Sequence, residues 1–556
     1  MISSDKNLTV LFNGEIYNYQ KIKELISIDY QYNTNSDTEV ILAAYKQWGI
    51  RCFDYFEGMF AITLIDHAKN KIFIARDLAG VKPLYYFFDG INLFLTSEYK
   101  VLMNSNILDN EINHDSLKKY IIFQTVPDRN NLIKGIKKLM PGEILGFDMT
   151  SCKTILEDKI KLKNYDNFKN YDEYVECLKN EIYFQMNLAT NTDLPTGYHL
   201  SGGIDSNTLV SLTQKLRSDQ NFFFVTSIID DEIDNESDYI FEAAKNYGRE
   251  LKVVHVNAKN FFEVLDNALY QLDEPVGDPG LIPQYLVNKE ISQYAKIVYS
   301  GQGFDELFFG YARNLAAYSI AKFGKNSFSL KNSSLPEEIT NFFSEWHDFK
   351  KELNSLSNLS PEMTNYIKLC RFNPYLNYSE LNDKFLTSLK EIAENEFSNL
   401  NQRSMSLSEF IYNSETTIQL PSLLHMEDRV SMIHSVETRV PFCTNSIISL
   451  AYNKKLEWIF RNHKTKGVIK DIVQNLIPSN IANRPNKVGR PVPFRKWFKE
   501  RNDLVSELND KKEQIEFLYG TKNIVNYALN NENPFDRTLW GIWSLTRWIE
   551  KYNISI

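Results

Sequence analysis

The segment SGGIDS at residues 201–206, between an apolar run and a helical pattern, carries side chains that suit phosphate chemistry. Its adjacent glycines have no Cβ, so backbone N–H groups can close around a phosphate, and the start of the helix adds about half a positive charge. The serine hydroxyls can donate further hydrogen bonds, and the aspartate can hold Mg²⁺ between phosphate oxygens. Taken alone, the segment fits an ordinary strand–helix turn equally well. The candidate phosphate-binding residues in it are Ser201, Gly202, Gly203, Asp205 and Ser206.

A second glycine-rich turn, SGQGFDE at residues 300–306, follows another apolar run. If both runs are strands of one parallel sheet, both turns lie at the edge where open α/β sheets bind ligands. The turn is not a dinucleotide fingerprint, because Glu306 stands where a third glycine is needed, and the chain has no GxxxxGK[ST] segment. Two glycine turns that each carry an acid, Asp205 and Asp305, suit pyrophosphate with bound Mg²⁺.

The elements that must position these turns form an alternating pattern of strands and helices from about residue 176. Such alternation requires crossover connections and therefore predicts a parallel sheet. The pattern becomes mainly helical from about residue 330. The predicted strands are 197–200, 222–229, 251–256 and 296–300, and the predicted helices between them include 209–216, 238–248 and 282–294.

The first 150 residues are rich in β-strand patterns. Apolar residues at helical spacing predict a helix over 37–48. Residues 151–175 are polar and predict a linker, so the sequence divides into an α+β domain at 1–150, that linker, and an α/β domain with a helical C-terminal part at 176–556. Two hairpins are predicted, one from the runs 58–65 and 71–76 and one from the runs 83–88 and 92–96.

The amino-acid composition limits the classes of protein to which the chain can belong. The 556 residues are 43% hydrophobic and 24% charged, close to globular averages, which excludes wholesale disorder. The net charge of −9 argues against nucleic acid or an anionic membrane as the main partner. Five cysteines without a CxxC pair fit a reducing compartment, and no run of 18 apolar residues occurs, so we expect a cytoplasmic protein.

Ordered blocks along the chain resemble the glutamine-dependent asparagine synthetases. The turn at 201–206 looks like their pyrophosphatase-type ATP loop, and residues 300–311 resemble their second loop. The resemblance implies an antiparallel αββα sandwich of the Ntn type, truncated at its start, followed by a parallel-sheet ATP-pyrophosphatase domain. The other similar blocks are FNGEIYNY at 12–19, SDTE at 36–39, GMFA at 58–61, RDLAGVKPLY at 76–85, SE at 97–98, the long helical signature at 424–442 and NKVGRPVPF at 486–494.

The resemblance implies a two-step amide synthesis with ATP and Mg²⁺. The side-chain carboxylate of aspartate attacks the α-phosphate of ATP, which gives an acyl-adenylate and pyrophosphate, and ammonia from glutamine then displaces AMP. No nucleic acid or membrane partner is implied, and a homodimer is compatible with the family. Two alternatives stay open: amidation or cyclisation of another carboxylate, such as a sugar acid or a peptide, and a non-catalytic scaffold.

The resemblance assigns the family's site residues to matching positions in this sequence. Asp205 and Asp305 are implied to hold Mg²⁺ and pyrophosphate, and Lys487 to stabilise negative charge on the transferred phosphoryl or carbonyl oxygen. The residues implied to contact ATP are Leu200, Ser201, Gly202, Gly203, Asp205, Ser206, Ile228, Ser300 and Gly301. In the glutaminase part, Asn13 and Gly14 are implied to form the oxyanion hole. Glu15 and Asp37 are implied to bind the ammonium group of glutamine.

One departure from the family concerns the glutaminase nucleophile. The family uses a cysteine at the mature N-terminus, whereas this sequence begins shortly before Asn13, so we expect the segment with that cysteine to be missing and glutamine hydrolysis to be impaired. Cys52 cannot take over, because an internal residue has no free α-amine to serve as base. Its setting predicts a buried structural thiol.

The second departure is Gln302, where many family members carry an acid. A neutral amide cannot act as a general base, so Gln302 leaves both the carboxylate substrate and the strength of the activity open. Glu274, next to Asp273, lies near the same predicted sheet edge and is a candidate for the missing carboxylate. The pair also fits a solvated turn before Pro275. The candidate catalytic residues are therefore Lys487, Asp305, Gln302 and Glu274.

Two further charged groups have structural interpretations. The acidic stretch 230–238 predicts a solvated loop that leads into a helix. The sequence also predicts structural ion pairs within the signature at 424–442. These pairs would join Arg429 and Arg439 to Glu427 and Glu437, and the alternative is that the two arginines reach the substrate.

Overall fold

The computed structural model of the protein describes residues 1–165, 167–218, 220–230, 236–323, 383–402, 404, 406–452, 454–482, 484, 492–521, 523–532 and 536–556. Lys487 lies outside these residues, so its role stays a prediction. The described chain forms an N-terminal α+β part and a second part built on a parallel sheet, as predicted.

The N-terminal part contains two antiparallel sheets. Five strands pair in the order β1-β2-β3-β7-β8, and β4 pairs with β5 and β6 in a smaller sheet. Both predicted hairpins and the predicted helix α2 are confirmed. The elements are β1 Leu8–Ile16, α1 Tyr19–Leu25, α2 Asp37–Trp48, β2 Gly58–Asp66, β3 Lys71–Arg76, β4 Tyr85–Phe88, β5 Leu93–Thr96, α3 Lys100–Met103, α4 His114–Phe123, β6 Lys137–Lys138, β7 Glu143–Asp148 and β8 Thr154–Lys159.

Apolar side chains point to both faces of the larger sheet, and each face packs into a separate core. Ile62 and Leu64 face a core that includes apolar residues of α2, whereas Ala61 and Ile74 face a core shared with the smaller sheet. Successive side chains on a strand point to opposite sides, so a single strand serves both cores. The layers of helix, sheet and sheet agree with the predicted sandwich.

The prediction of a linker over 151–175 is wrong for residues 154–159 and for residues 171–175, which begin a helix. Residues 154–159 form β8, which pairs with β7 at the edge of the larger sheet. All side chains of β8 are exposed or only half-buried. A strand that buries so little apolar surface can be as polar as a linker, so composition alone does not separate the two.

The second part is built on a parallel sheet with the strand order β11-β10-β9-β12-β13. The four strands predicted in this part are confirmed as β9 to β12, and the fifth, β13, comes from residues 437–439. The elements up to residue 323 are α5 Tyr171–Ala189, β9 Thr196–His199, α6 Ile204–Leu216, β10 Phe222–Ile229, α7 Glu236–Tyr247, β11 Leu251–Val256, α8 Ala258–Gln271, α9 Leu281–Ile291, β12 Ile297–Tyr299, α10 Phe304–Leu307 and α11 Ala312–Phe323.

The strand register brings both glycine turns to one edge of this sheet. Tyr198 of β9 lies beside Tyr299 of β12, and their rings stack with centroids 4.8 Å apart. The next residues, His199 and Ser300, therefore lie at the same level, and Leu200 follows one position later. The predicted convergence of the two turns is confirmed.

The remaining described chain is mainly helical, as predicted. No helix among the described residues is both long and apolar enough to cross a membrane. The elements are α12 Asp383–Gln402, α13 Leu407–Ser414, α14 Leu420–Met432, β13 Glu437–Arg439, α15 Asn445–Ala451, α16 Leu456–Ile459, α17 Gly467–Val473, α18 Ser479–Ala482, α19 Phe494–Lys499, α20 Asn502–Asp510, α21 Lys512–Tyr519, α22 Ile524–Asn530 and α23 Thr538–Lys551.

The signature at 424–442 is helical only in its first half. Helix α14 ends at Met432, and Ser435 adopts a left-handed conformation with φ 54° in the turn that leads to β13. β13 then pairs with β12, so this segment crosses from the helical layer into the sheet. One continuous core includes Tyr85 of the N-terminal part and Tyr299 of the second part, which ties the two parts together.

Candidate active site

The first glycine turn is held in shape by its own side chains. It lies between the end of β9 and the start of α6, a helix of 13 residues. The hydroxyl oxygens of Ser201 and Ser206 are 2.9 Å apart. Asn207 Nδ2 donates to the carbonyl oxygens of Ser201 and Gly203 at 2.9 and 2.7 Å. The loop is therefore ordered at a helix N-terminus, the arrangement that binds phosphate in many proteins.

The second glycine turn packs directly against the first. A Cβ on Gly301 would lie 2.9 Å from the Asp205 carbonyl carbon and from the Ser206 nitrogen. Gly303 has φ 107°, which favours glycine, and it begins the short helix α10. A side chain at Gly301 would push the turns apart, so this glycine lets Ser300 lie beside the first loop.

Leu200 and Ile228 are predicted to contact the nucleotide; Leu200 follows β9, and Ile228 lies near the end of the neighbouring strand β10. The Leu200 N–H donates to the Val225 carbonyl oxygen at 3.0 Å, which extends the strand pairing by one residue. β10 continues beyond that level, so Ile228 lies above the first loop and is half-buried. Both positions suit contact with a nucleotide bound at the sheet edge.

Lys466 joins the acids of the two turns. Its Nζ lies 2.7 Å from each carboxylate oxygen of Asp205 and 2.5 Å from Asp305 Oδ1. Burial opposes the charge of the ammonium group, but the two carboxylates outweigh burial and raise the pKa of Lys466. Gly310 makes room for the cluster, since a Cβ there would lie 1.8 Å from Asp305 Oδ1. Two acids predicted to act together are thus held around one cation.

Sequence reasoning missed Lys466. The residue lies in the segment KTKG at 464–467 and has the left-handed φ of 49° immediately before α17. Gly467 follows because a Cβ there would come within 2.4 Å of the backbone of Arg461. The available signal was a lysine directly before a helix that begins with glycine. That signal is weak without the fold.

A buried ion pair covers the outer side of the first turn. The Gly202 N–H donates to Glu236 Oε1 at 3.1 Å, and Arg484 Nη1 donates to the Gly202 carbonyl oxygen at 3.1 Å. Arg484 and Glu236 also pair at 3.2 Å. The prediction of a solvated loop over 230–238 is therefore wrong for Glu236, which the first turn and Arg484 draw into the protein. Residues 231–235 lie outside the described part of the chain.

The predicted glutamine-side residues converge where β1 ends and α2 begins. Asp37 Oδ2 accepts a hydrogen bond from the Ile16 N–H at 3.0 Å. Asn13 Nδ2 donates to Ser97 Oγ at 3.4 Å. Gly14 has φ 145° and lies against β2, where a Cβ would meet the Met59 carbonyl oxygen at 2.0 Å. The strand pair can therefore form at this point only with glycine.

Glu15 connects this pocket to the parallel sheet. Burial raises the pKa of Glu15 to about 7, while Arg439 lowers it and Asp37 raises it further. Arg439 Nη2 lies 3.3 Å from Glu15 Oε2, and its Nε donates to Glu437 Oε1 at 2.7 Å. The predicted pair of Arg439 with Glu437 is confirmed. Arg439 also reaches the other domain.

Arg429 does not pair with Glu427, so that prediction is wrong. Its Nη2 donates to Asp273 Oδ2 at 3.0 Å, and Nη1 lies 3.4 Å from Glu98. Asp273 is fully buried and also lies 3.2 Å from Lys100. The interpretation of residues 273–274 as a solvated turn is wrong as well, because these cations compensate the buried carboxylate.

Glu274 is buried on the side of the N-terminal part. Burial raises the pKa of Glu274, and Lys138 lowers it. The residue lines a small cavity together with Arg76, Tyr85 and His425. None of its described neighbours there belongs to either glycine turn, so a catalytic role for Glu274 stays a prediction.

Gln302 lies in the second turn itself and is half-buried. Its carbonyl oxygen accepts a hydrogen bond from the thiol of Cys443 at 3.6 Å. The position is therefore at the candidate site, although the amide supplies no base.

A buried ion pair links the two parts of the chain next to this site. Lys82 Nζ lies 2.7 Å from Asp428 Oδ1, and both side chains are buried. Three carbonyl oxygens, those of Gly80, Lys82 and Leu139, accept hydrogen bonds from Arg76, which fixes the loop that carries Lys82. The similarity of residues 76–85 to a family block thus has a structural basis.

Cys52 is fully buried, and burial raises the pKa of its thiol. The prediction of a buried structural thiol is confirmed. A thiol with a raised pKa is a poor nucleophile at neutral pH.

Comparison with known proteins finds relatives of both parts. Residues 179–550 match the family described as asparagine synthase, and residues 1–157 match a glutamine amidotransferase domain. The glutamine-hydrolysing asparagine synthetase 1 of Bacillus subtilis (strain 168) is 29% identical over 93% of this chain and 80% of its own length. Asparagine synthetase 3 of the same organism is 23% identical over 99% of this chain and 88% of its own length.

Proposed function

The chain belongs to the asparagine synthase family, and we propose that it forms asparagine from aspartate, ATP and a nitrogen donor. One observation carries this proposal: two glycine turns, each with an acid, meet around Lys466 at the carboxyl edge of a parallel sheet. The cluster offers backbone donors, a helix N-terminus and a fixed cation to one polyphosphate. This combination suits transfer of the adenylyl group with pyrophosphate as leaving group.

In the first step, the aspartate side-chain carboxylate attacks the α-phosphate of ATP. The N–H groups at the start of α6 bind the departing pyrophosphate. The ammonium group of Lys466 stabilises the charge that builds up there as the bond breaks. Leu200 and Ile228 hold the nucleoside end at the tips of β9 and β10.

The same acids fit Mg²⁺. Asp205 and Asp305 converge on one point, and carboxylate oxygens together with substrate phosphates are the ligands that Mg²⁺ prefers. A bound Mg²⁺ would neutralise charge on the pyrophosphate oxygens. Lys466 would then share the two carboxylates with the metal.

In the second step, ammonia attacks the carbonyl carbon of the acyl-adenylate and AMP leaves. The pocket of Asn13, Gly14, Glu15 and Asp37 is the place where we propose that a glutamine amide is bound. Asp37 and Glu15 would pair with the ammonium group of glutamine. The donors at Asn13 and Gly14 would stabilise an oxyanion at its amide carbon.

The test is ATP–pyrophosphate exchange with the full-length chain. We expect exchange that depends on aspartate, followed by AMP and asparagine when ammonium is added. The variant Asp205→Asn should lose most of the exchange. Asp193→Asn is the matched control, because Asp193 is exposed and precedes the same strand at its opposite end.

A panel of other carboxylic acids tests the alternatives. Exchange that responds to a sugar acid or a peptide but not to aspartate would contradict the proposed substrate. Exchange with no acid at all would contradict the proposal as a whole.

A further inference from the structure

Helix α14 places a second carboxylate at the same sheet edge. Glu427 is 3% exposed, and the hydroxyl of Ser300 hydrogen-bonds it. His199, the last residue of β9, has its Nδ1 3.7 Å from Glu427 Oε1. The three residues, called here the Glu427 cluster, come from α14, from the end of β9 and from the position that follows β12.

Two polar atoms of the Glu427 cluster have no protein partner. Within the described part of the chain, Glu427 Oε2 and His199 Nε2 are buried without a hydrogen bond. A buried polar atom left unpaired costs free energy unless water or a ligand completes it. These atoms therefore indicate a place where something else binds.

No described lysine or arginine pairs with Glu427. Burial raises the pKa of Glu427 to about 7, and Ser300 lowers it only partly. Burial also lowers the pKa of His199 to about 4, so the imidazole is neutral at neutral pH. The other titratable groups that face the carboxylate are Asp428, which Lys82 compensates, and the thiol of Cys443. Glu427 thus changes protonation near neutral pH, while the imidazole of His199 stays neutral.

The location connects Glu427 with the chemistry of the sheet edge. Ser300 is followed by Gly301, which packs on Asp205 and Ser206 of the first turn. Asp428, the next residue in α14, pairs with Lys82 of the amidotransferase part. Glu427 therefore lies between the domain that would supply nitrogen and the loops that would hold the adenylate. Gln302, two residues after Ser300, offers no carboxylate of its own.

We propose that Glu427 is the catalytic base of the amide-forming step. The inference rests on the proposed function and names the proton acceptor that this function requires. As the nitrogen of ammonia forms its bond to the acyl carbon, an N–H bond breaks and its proton moves to the Glu427 carboxylate. The C–O bond to AMP then breaks, and its electron pair leaves with the phosphate of AMP. Glu427 returns the proton to solvent before the next turnover.

The test separates the two half-reactions in Glu427→Gln. We expect ATP–pyrophosphate exchange with aspartate to stay within about threefold of the wild type. Asparagine formation from ammonium should fall by roughly 10²–10³-fold, the range expected for loss of a general base. The acyl-adenylate should accumulate in the variant.

The pH profile gives a readout that a purely structural role would not change. At a constant concentration of free ammonia, the wild-type rate of asparagine formation should rise with pH around a midpoint near 7, because Glu427 acts only when ionised. This rise should disappear in Glu427→Gln. Hydroxylamine, a less basic nucleophile than ammonia, should be affected less by the variant.

Glu409→Gln is the matched control. Glu409 is also buried, but the Tyr452 hydroxyl donates to it at 3.1 Å, and neither residue belongs to the two glycine turns. The Glu409→Gln variant should keep the rates of ATP–pyrophosphate exchange and asparagine formation within about twofold of the wild type.

Three outcomes would overturn the assignment. Unimpaired asparagine formation in Glu427→Gln, or an equal loss of exchange and asparagine formation, would show that Glu427 is not the base. A wild-type chain without aspartate-dependent exchange would overturn the proposed function and this inference together. The first two results leave the proposed function intact, so the two failures are distinguishable.

Discussion

Two sets of carboxylates lie at one edge of the parallel sheet and differ in whether a cation accompanies them. Asp205 and Asp305 share Lys466 at distances of 2.5–2.7 Å, and Asp428 pairs with Lys82 at 2.7 Å. Glu427 is the sequence neighbour of Asp428, yet it is buried against a hydroxyl and a neutral imidazole. The same functional group therefore meets two opposite electrostatic environments over a short distance.

The difference suggests a division of labour. Carboxylates paired with a buried cation are suited to hold fixed charge around a polyphosphate. A buried carboxylate without such a partner, such as Glu427, has a pKa near neutral pH and is suited to move a proton. Altering one partner at a time tests this contrast, and we expect the largest effect where a buried charge loses a buried partner of opposite charge.

Replacing Lys82 with methionine should have the largest effect. The change leaves Asp428 buried without its cation, and we expect the free energy of unfolding to fall by about 3–5 kcal/mol. Urea denaturation of the full-length chain measures this. The double variant Lys82→Met with Asp428→Leu should recover much of the loss, because the uncompensated charge is then absent.

Lys46→Met is the control for the Lys82 experiment. Lys46 pairs with Asp5 at the same distance of 2.7 Å, but both side chains are largely in solvent. We expect almost no change in the unfolding midpoint. A similar loss in both single variants would contradict the distinction between buried and exposed pairs.

Replacing Lys466 with alanine should act on catalysis. Loss of this fixed charge should reduce aspartate-dependent ATP–pyrophosphate exchange by roughly 10²–10³-fold. Lys464→Ala, two residues earlier and exposed, should keep exchange near the wild-type rate. Exchange within a few-fold of the wild type in Lys466→Ala would remove the proposed role of the cationic cluster.

The elements of the site could be predicted from sequence, whereas its ion pairs between residues far apart in the chain could not. The strands before both turns follow from local apolar runs, and the acids of the turns follow from glycine-rich segments next to them. Lys466 lies 261 residues from Asp205, and Lys82 lies 346 residues from Asp428. No local pattern encodes contacts that only the tertiary fold creates.

The two predicted arginine pairs show why element type matters. Glu427 and Arg429 are two residues apart in α14, where such side chains point in different directions. Glu437 and Arg439 have the same spacing in β13, where alternate residues share one face, and they do pair at 2.7 Å. The prediction treated both as helical and was therefore right for only one.

Stability measured against pH sharpens the contrast at Glu427. The pKa of this residue is about 7 in the folded chain and 4.5 in the reference state, so the folded chain binds more protons between these values. Stability contributed by protonated Glu427 is therefore present below pH 4.5 and lost as the pH rises to about 7. Relative to Glu427→Gln, the wild type should lose about 2.5 kcal/mol of unfolding free energy between pH 5 and 8.

His199 gives stability the opposite dependence on pH. Because both the wild type and Glu427→Gln contain His199, its contribution cancels when the two are compared. Its pKa is about 4 in the folded chain against 6.5, so stability falls as the pH drops through that range. Thermal unfolding across pH 5–8 measures the difference between wild type and Glu427→Gln. Parallel curves for the two chains would contradict the uncompensated state of Glu427.

Replacing Gln302 with glutamate should give the smallest effect. Position 302 lies two residues after Ser300, so a new carboxylate there would repel the charged form of Glu427 and raise its pKa. We expect the pH midpoint of asparagine formation to move up by about half a pH unit, with little change in the rate at high pH. Gln302→Asn keeps a neutral amide and should leave the midpoint unchanged. If the pH midpoint of asparagine formation is unchanged in Gln302→Glu but absent in Glu427→Gln, Glu427 is the base and position 302 does not influence its pKa. If the pH profile of Gln302→Glu instead shows a second ionisation, both carboxylates take part in proton transfer.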